Sequence, residues 1–574
     1  MATDRQPAAP SPTAPREHDI PTRDGVVLKA DVYLGRAGEP APTVIHRTAY
    51  DRREGVCPGS VDPLALAAAG FNVVVQDVRG RFASGGQFTP YRNEAEDCGD
   101  TLTWLGGQPW AGDAVALIGR SYGGVCQWLA AVSPGGGGPR LAAIAPEAGG
   151  SDLYEGWTYR GGALQLEFCV HWLLDDLLPP GGDSAAFAAA RAGYLTAPWR
   201  LLGEHEGAAP FLRQWLEHPS RDAYWAGIGA RSRLAEVTAP ALIVTGWRDP
   251  FASGALRDFA ALRASPNRAV RDRSRLVVGP WGHVGDRATG PGRMGGSDAL
   301  EDQPDLTALH LRWLRSELGG GPAQAERVRL HVGGAIDGWR AFDDWPPAGG
   351  TVASLFLSSG GDARTLHGDG VLVDEPPGRT GLDRYRYDPA DPAPSTGDAR
   401  YLADGEASAP LDQRLAEGRS DILCYSMQPL DRPLALVGEP RLVVYAAVDV
   451  PDTDLVAKIV DVRPDGVASW VCDGVLRARY RRSTSRPRLL TPGRIHRFEL
   501  SLGGAAHVFA AGHRLRLEVS SSDFPRYDPN PNTGGPSLAL APQAVRVATV
   551  TVHHGPRQAS RLELPVYPVD RLRG

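Results

Sequence analysis

AVALIGRSYGGVCQWLAAV, residues 114–132, is the stretch on which the reading of the fold turns. It opens with a short apolar run, Ala114 to Ile118, of the length of a buried strand, and from about Gly123 to Val132 it has the composition of a helix. Between them stands Gly119-Arg120-Ser121-Tyr122-Gly123, a G-x-S-x-G. A strand that turns sharply into a helix crowds its own backbone, so glycine is required on either side of the serine. The turn holds the Ser121 hydroxyl out beyond the sheet and leaves the N–H of Tyr122 able to donate to an oxyanion. Five-residue patterns with three set positions arise by chance. The strand before this one and the helix after it are what give it weight.

The flanking sequence supports the same layout. Val26–Leu34, Pro42–Arg47, Phe71–Gln76 and Leu141–Ala145 read as strands; Leu64–Ala69 and Asp97–Leu105 read as helices. Strand and helix alternate, which predicts a doubly wound α/β sheet. From about Pro146 to Glu236 the alternation stops, and a helical, aromatic-rich stretch takes over with Trp157, Tyr159, Phe168, Trp172, Trp199, Trp215 and Trp225. The sheet pattern resumes at ALIVT (241–245) and Leu276–Val278. An all-helical insertion between two sheet strands is what a cap over an active site looks like in sequence. Beyond Thr351 short strand-like runs recur between Gly, Pro and Asp turns, among them RLVVYAAV (441–448), LVAKIVDV (455–462) and RLRLEVS (514–520). These predict a β-sandwich or jelly roll. The expected division is thus an α/β-hydrolase core in two parts (1–145 and 237–350), a helical cap (146–236) and a C-terminal jelly roll (351–574).

A serine hydroxyl is a weak nucleophile and needs a histidine base oriented by a carboxylate. In this fold the chain order is serine, acid, histidine, which removes every histidine before Ser121. LVVGPWGH places His283 in a loop at the end of a short apolar strand, and ALIVTGWRD places Asp249 at the end of the preceding one. His310, on a predicted helix, and Asp286 are the alternatives on this ground. Tyr50 follows the strand TVIHR where a second oxyanion donor would stand, although from spacing alone it reads as a packing tyrosine.

Composition narrows the class. At 574 residues the chain exceeds a single hydrophobic core. A net charge of −6 leaves no electrostatic footprint for nucleic acid or an anionic membrane. Nearly all basic residues are arginine, with Lys29 and Lys458 the exceptions. The six cysteines (Cys57, Cys98, Cys126, Cys169, Cys424, Cys472) form no CxxC pair, which predicts free buried thiols in a reducing compartment and no zinc site. The N-terminal stretch MATDRQPAAPSPTAPREHD lacks the apolar centre of a signal peptide, and no apolar run of transmembrane length occurs. A cytoplasmic enzyme with a disordered leader, monomeric or homodimeric and without a membrane partner, is the expectation.

Eight stretches carry a resemblance to a known family: HRTAYDRR (46–53), VVVQDVRGRFASGGQF (73–88), NEAEDCGDTLTWL (93–105), ALIGRSYGGVCQWLAAV (116–132), IAPEAGGSDLY (144–154), TGWRDPFASG (245–254), LVVGPWGH (276–283) and VSSSDFPRYDPNPNTGG (519–535). Together they span nearly the whole chain. The sequence resembles the cocaine esterase-like family, which belongs with X-prolyl dipeptidyl-peptidases and α-amino-acid ester hydrolases. The resemblance implies the three-part architecture above and a triad of Ser121, Asp249 and His283. It implies that the Tyr50 hydroxyl joins the Tyr122 N–H in the oxyanion hole, and that Trp172, Phe251 and Trp157 form an aromatic acyl pocket. No metal or organic cofactor is implied. The sequence departs from the family pattern at DLYEGWTYRGG (152–162), which is one residue shorter, and at Arg120 and Arg248, which could alter charge near the entrance. A carboxylate cluster for a substrate ammonium is not evident, with Glu155, Asp175 and Asp176 as its candidates. Hydrolysis of a small-molecule ester follows as the expected activity. A peptidase, amidase or acyltransferase is the alternative, and a silent carbohydrate-binding protein the distant one.

Overall fold

The computed structural model describes residues 14–573 apart from 36–38, 54–60, 134–136, 179–191, 206–209, 284–304, 323–325 and 397–411. The predicted leader, Cys57 and Asp286 therefore lie outside the described residues. The first sheet runs in the spatial order Arg16–Pro21, Val27–Tyr33, Asn72–Asp77, Ala41–Thr48, Ala111–Arg120, Arg140–Glu147, Leu242–Arg248, Arg275–Gly282, Val328–Gly334, Gly338–Phe342. From Asn72–Asp77 to Val328–Gly334 neighbours are parallel, and the edges are antiparallel. Asn72–Asp77 is buried at every position, as a strand covered by helices on both faces must be. The helices Glu94–Leu105, Tyr122–Ala131, Ala252–Arg263 and Leu306–Leu318 pack against this sheet. The chain is an α/β-hydrolase with a C-terminal β domain.

The insertion is not all-helical. Helix Leu166–His171 runs straight into a π-helical turn, Trp172–Leu177, helices Trp199–His205, Pro210–Glu217 and Ala223–Ile228 follow further along the chain, and a small hairpin, Tyr159–Arg160 with Ala163–Leu164, comes before. The hairpin turns on Gly161 and Gly162, at φ +53° and +84°. Two consecutive left-handed residues make the two-residue turn that suits strand twist, so this Gly-Gly was a readable signal.

The β domain is antiparallel almost throughout. Arg441–Val448 pairs with Ile495–Ser501 and Ala548–His554, and Asp454–Val462 lies between Ala468–Arg477 and Arg514–Ser520. Leu442, Val444, Ala446 and Val448, every second residue, enter one buried cluster with Leu455, Ala457, Ile459, Leu515 and Leu517. The domain also holds the cap hairpin. Asp528 Oδ1 accepts the Leu164 N–H at 2.9 Å, Arg160 Nη1 meets Asp473 at 2.7 Å, and Pro525 O accepts the Glu167 N–H at 3.1 Å. The downstream stretch VSSSDFPRYDP thus supports the element that leads into Trp172.

Candidate active site

The strand Ala111–Arg120 ends in Ser121, which adopts φ 55° and ψ −118°, and the helix Tyr122–Ala131 begins at once. A non-glycine residue with this backbone is strained, and such strain concentrates where a side chain must be presented. A Cβ on Gly119 would come within 3.0 Å of the His46 ring, and one on Gly123 within 3.1 Å of Arg47 O. Gly124, outside the five-residue motif, is the tightest, 2.8 Å from Glu147 O. That same carbonyl accepts the Ser121 N–H at 2.9 Å.

Leu242–Arg248 and Arg275–Gly282 are parallel neighbours, with Arg248 opposite Gly282 in register. The next residue of each strand, Asp249 and His283, consequently emerges side by side at the carboxyl edge of the sheet. His283 Nε2 lies 3.1 Å from Ser121 Oγ, and His283 Nδ1 lies 3.3 Å from Asp249 Oδ1. Asp249 Oδ1 also accepts the Phe251 N–H at 2.9 Å, and all three side chains are buried. Such a serine–imidazole–carboxylate line can move a proton off the hydroxyl and stabilise the resulting imidazolium. His310 is elsewhere, buried on the helix Leu306–Leu318.

Tyr122 follows the serine directly, and the Tyr50 ring meets its ring edge to face at 6.5 Å. The Tyr50 hydroxyl accepts the Trp172 indole N–H at 2.9 Å. Tyr122 is fully buried, and its hydroxyl donates to Glu94 Oε1 at 2.7 Å; Arg47 Nη1 holds the other oxygen of Glu94 at 2.9 Å. Burial, and after it the Glu94 carboxylate, raises the Tyr122 phenol far above its ordinary pKa, so it stays a neutral donor. This anchor fixes the first residue of the helix and with it the Tyr122 N–H. Glu94 and Arg47 lie within NEAEDCGDTLTWL and HRTAYDRR, but spacing and composition give no sign of their roles.

The structure brings Trp157, Trp172 and Phe251 together. Trp157 stacks on Phe251 at 4.0 Å, Phe251 meets the His283 ring edge to face at 4.8 Å, and Trp172 stacks on Tyr122 at 6.2 Å. Phe168 and Tyr91 complete this wall, Tyr91 stacked on Tyr122 at 4.8 Å.

Behind the serine turn, Glu147 pairs with His310, Oε1 to Nε2 at 3.1 Å, and both are fully buried. His310 Nδ1 lies 2.8 Å from Leu306 O, so both ring nitrogens face acceptors. Burial pulls the His310 pKa down, but the Glu147 carboxylate outweighs it and the net shift is upward. A histidine raised on folding contributes stability that is complete below about pH 6.5 and fades as pH rises through the raised value. The melting-temperature gap between the wild-type protein and His310→Gln should therefore shrink from pH 6 to about pH 9. A gap that stays constant or widens would show that the pair is not an ion pair.

One expectation is corrected. Arg120 is buried, so it cannot set charge at an entrance: it alternates away from the direction in which the turn presents Ser121. Arg248 is half-buried, with burial lowering its pKa. Glu155 is taken up by the Gly161 N–H at 3.2 Å and by Arg257 at 3.9 Å. Cys98, Cys126, Cys169, Cys424 and Cys472 are buried free thiols. Among the described residues, no helix is long and apolar enough to cross a membrane.

Comparison with known proteins now bears on this geometry. Residues 24–285 match the X-Pro dipeptidyl-peptidase (S15) family, and residues 321–563 match the X-Pro dipeptidyl-peptidase C-terminal non-catalytic domain. The chain is 36% identical over 572 residues to cocaine esterase from Rhodococcus sp. (strain MB1 Bresler), across 95% of this chain and 97% of that protein. The chain belongs to the cocaine esterase-like family. Solved structures place this cocaine esterase-like protein in the same company. An aminopeptidase from a marine sediment archaeon, Thaumarchaeota archaeon, superposes with a TM-score of 0.81 at 25% identity over 99% of both chains. An α-amino-acid ester hydrolase gives 0.78 at 26% identity over 99% of this chain and 98% of that one. Family membership accounts for the motifs spread from HRTAYDRR to VSSSDFPRYDP, which line one site and its supports.

Proposed function

We propose that Ser121, His283 and Asp249 carry ester hydrolysis in this enzyme through an acyl-enzyme, with Tyr50 and Tyr122 holding the oxyanion. The enzyme is a serine hydrolase of carboxylic esters. The observation that carries the assignment is the continuous line from Ser121 Oγ to His283 at 3.1 Å and on to Asp249 at 3.3 Å. His283 Nε2 takes the serine proton as Oγ attacks the ester carbonyl, and Asp249 Oδ1 accepts the Nδ1–H, setting the tautomer. The developing oxyanion is met by the Tyr122 N–H, first of its helix and without an intrahelical acceptor, and by the Tyr50 hydroxyl. A phenol that accepts an indole N–H, as Tyr50 does from Trp172, becomes the stronger donor of its own proton. His283 then protonates the leaving alcohol, and water activated by the same base releases the acid.

Trp157, Trp172 and Phe251 are read as the acyl pocket, supported by their packing against His283 and Tyr50, and the substrate as a small-molecule ester with an apolar acyl group. Residues 351–574 are read as a jelly roll and the enzyme as cytoplasmic, the latter supported by its buried free thiols.

Tyr50→Phe tests the oxyanion assignment. It removes one oxygen and keeps the ring, so kcat should fall about 10²–10³-fold with KM nearly unchanged and the melting temperature held. A lowered melting temperature with unchanged kcat would make Tyr50 a packing residue. Burst kinetics with an aryl ester, an aminoacyl-Pro anilide and an added amine acceptor separate hydrolysis from peptidase and acyltransferase chemistry.

A further inference from the structure

Arg81 lies on the loop after the strand Asn72–Asp77, and its guanidinium joins the two elements on the oxyanion side of the site. Its Nε–H donates at 2.9 Å to Ala49 O, the carbonyl immediately before Tyr50. Its Nη1–H donates to Leu177 O at 2.9 Å and its Nη2–H to Asp176 O at 3.4 Å, the carbonyls that close the π-helical turn Trp172–Leu177. That turn begins with Trp172, whose indole N–H bonds the Tyr50 hydroxyl. The contacts close into a ring: Arg81 to the Tyr50 backbone, the Tyr50 phenol to Trp172, and the Trp172 turn back to Arg81.

The cation is also weakly compensated. The carboxylates near it, those of Asp77 and Asp176, act on it through their charge alone, and Asp77 is bonded to Arg52. Its other near neighbours are the rings of Phe82 and Phe88, 5.0 and 5.3 Å from Cζ. Arg79, two residues earlier, is instead neutralised by Asp97 and Asp24. A guanidinium satisfied by carbonyl oxygens and ring faces keeps its positive field, and a partly buried one is screened little. The Tyr50 and Tyr122 phenols lie within that field.

We propose that Arg81 is a positioning residue for ester hydrolysis, holding the Tyr50 hydroxyl at the oxyanion site by tying its backbone to the Trp172 turn and biasing it toward donation. The proposal rests on the assignment of Tyr50 as an oxyanion donor. Arg81 touches no reacting atom, and its effect passes through Tyr50.

The test is a double-mutant cycle in the full-length enzyme with an aryl ester substrate. Arg81→Gln keeps polar reach and removes the charge; it should lower kcat about tenfold, a fraction of what a lost oxyanion donor costs, with KM within about twofold. In a Tyr50→Phe background the same change should cost less than about threefold, because the group it acts on is already gone. Arg81→Lys keeps the charge without the planar fork and should recover part of kcat. If Arg81→Gln does not fold, Arg81→Lys measured in both backgrounds makes the same comparison. Equal losses in the two backgrounds, or a fall in melting temperature with kcat unchanged, overturn the proposal. If Tyr50→Phe itself leaves kcat intact, the oxyanion assignment fails, and the Arg81 role with it. If Tyr50→Phe is damaging and the cycle is additive, only the Arg81 role fails.

Discussion

Replacing Ser121 by alanine is expected to lower ester turnover by about 10⁶-fold, to background, and to abolish fluorophosphonate labelling, with the fold intact. On the proposed mechanism the hydroxyl is the nucleophile, so no acyl-enzyme forms without it. The backbone at φ 55° is equally strained for serine and alanine, so the substitution neither relieves nor adds backbone strain. Mass spectrometry of the labelled protein and a melting curve check both halves. Labelling that persists at another serine would overturn the assignment. Ser359 is the instructive comparison, because it sits with His554 and Asp383 in the β domain. There Ser359 Oγ at 3.0 Å and Asp383 Oδ2 at 3.2 Å both meet the same ring nitrogen, Nε2, and Ser359 bonds Asp383 directly at 2.8 Å. A histidine that meets serine and carboxylate through one nitrogen cannot relay between them, so Ser359 should remain unlabelled.

Asp249→Asn should cost about 10⁴ in kcat with little change in KM. Asp249 Oδ1 is where the His283 Nδ1–H and the Phe251 N–H converge. An amide keeps the shape, but if its NH2 faces His283 it donates to Nδ1 and drives the proton to Nε2. That nitrogen then faces Ser121 as a donor and cannot take the serine proton. The acylation rate from single-turnover kinetics is the decisive measurement. A loss of less than about tenfold would mean that another group orients His283.

What was readable in the sequence was local. The serine turn is a strand, a turn and a helix within residues 111–131, so its pattern lies in one short window, although the space its glycines leave is filled by His46 and Arg47 of the neighbouring strand. Asp249 and His283 were readable because each follows its strand directly and because chain order is set by the fold. The resemblance added Tyr50 and the aromatic pocket, where spacing alone suggested packing. The groups that support these residues lie within the quoted stretches, but nothing there marks what they do. Glu94 meets Tyr122 across 28 residues, and Arg81 meets Leu177 across 96. Arginine on a loop and glutamate in a helix's first turn are ordinary by composition, and only their distant partners make them specific.

Arg120 shows the same limit from the other side. Sequence adjacency to Ser121 suggested proximity to the entrance, yet alternation along the strand turns its side chain into the interior. The sequence by itself determined the order of strands and helices, the serine turn and the strands that deliver Asp249 and His283, because hydrophobic period, the spacing of the motif and chain order are set within short windows. Only the tertiary structure decided what surrounds them: the register that puts Arg248 opposite Gly282, the indole that holds Tyr50, the Glu94–Arg47 anchor beneath Tyr122 and the cation that closes the ring through the cap. Those contacts form between segments that meet only when the sheet is assembled and the cap has folded over it, so no short window of the chain contains them.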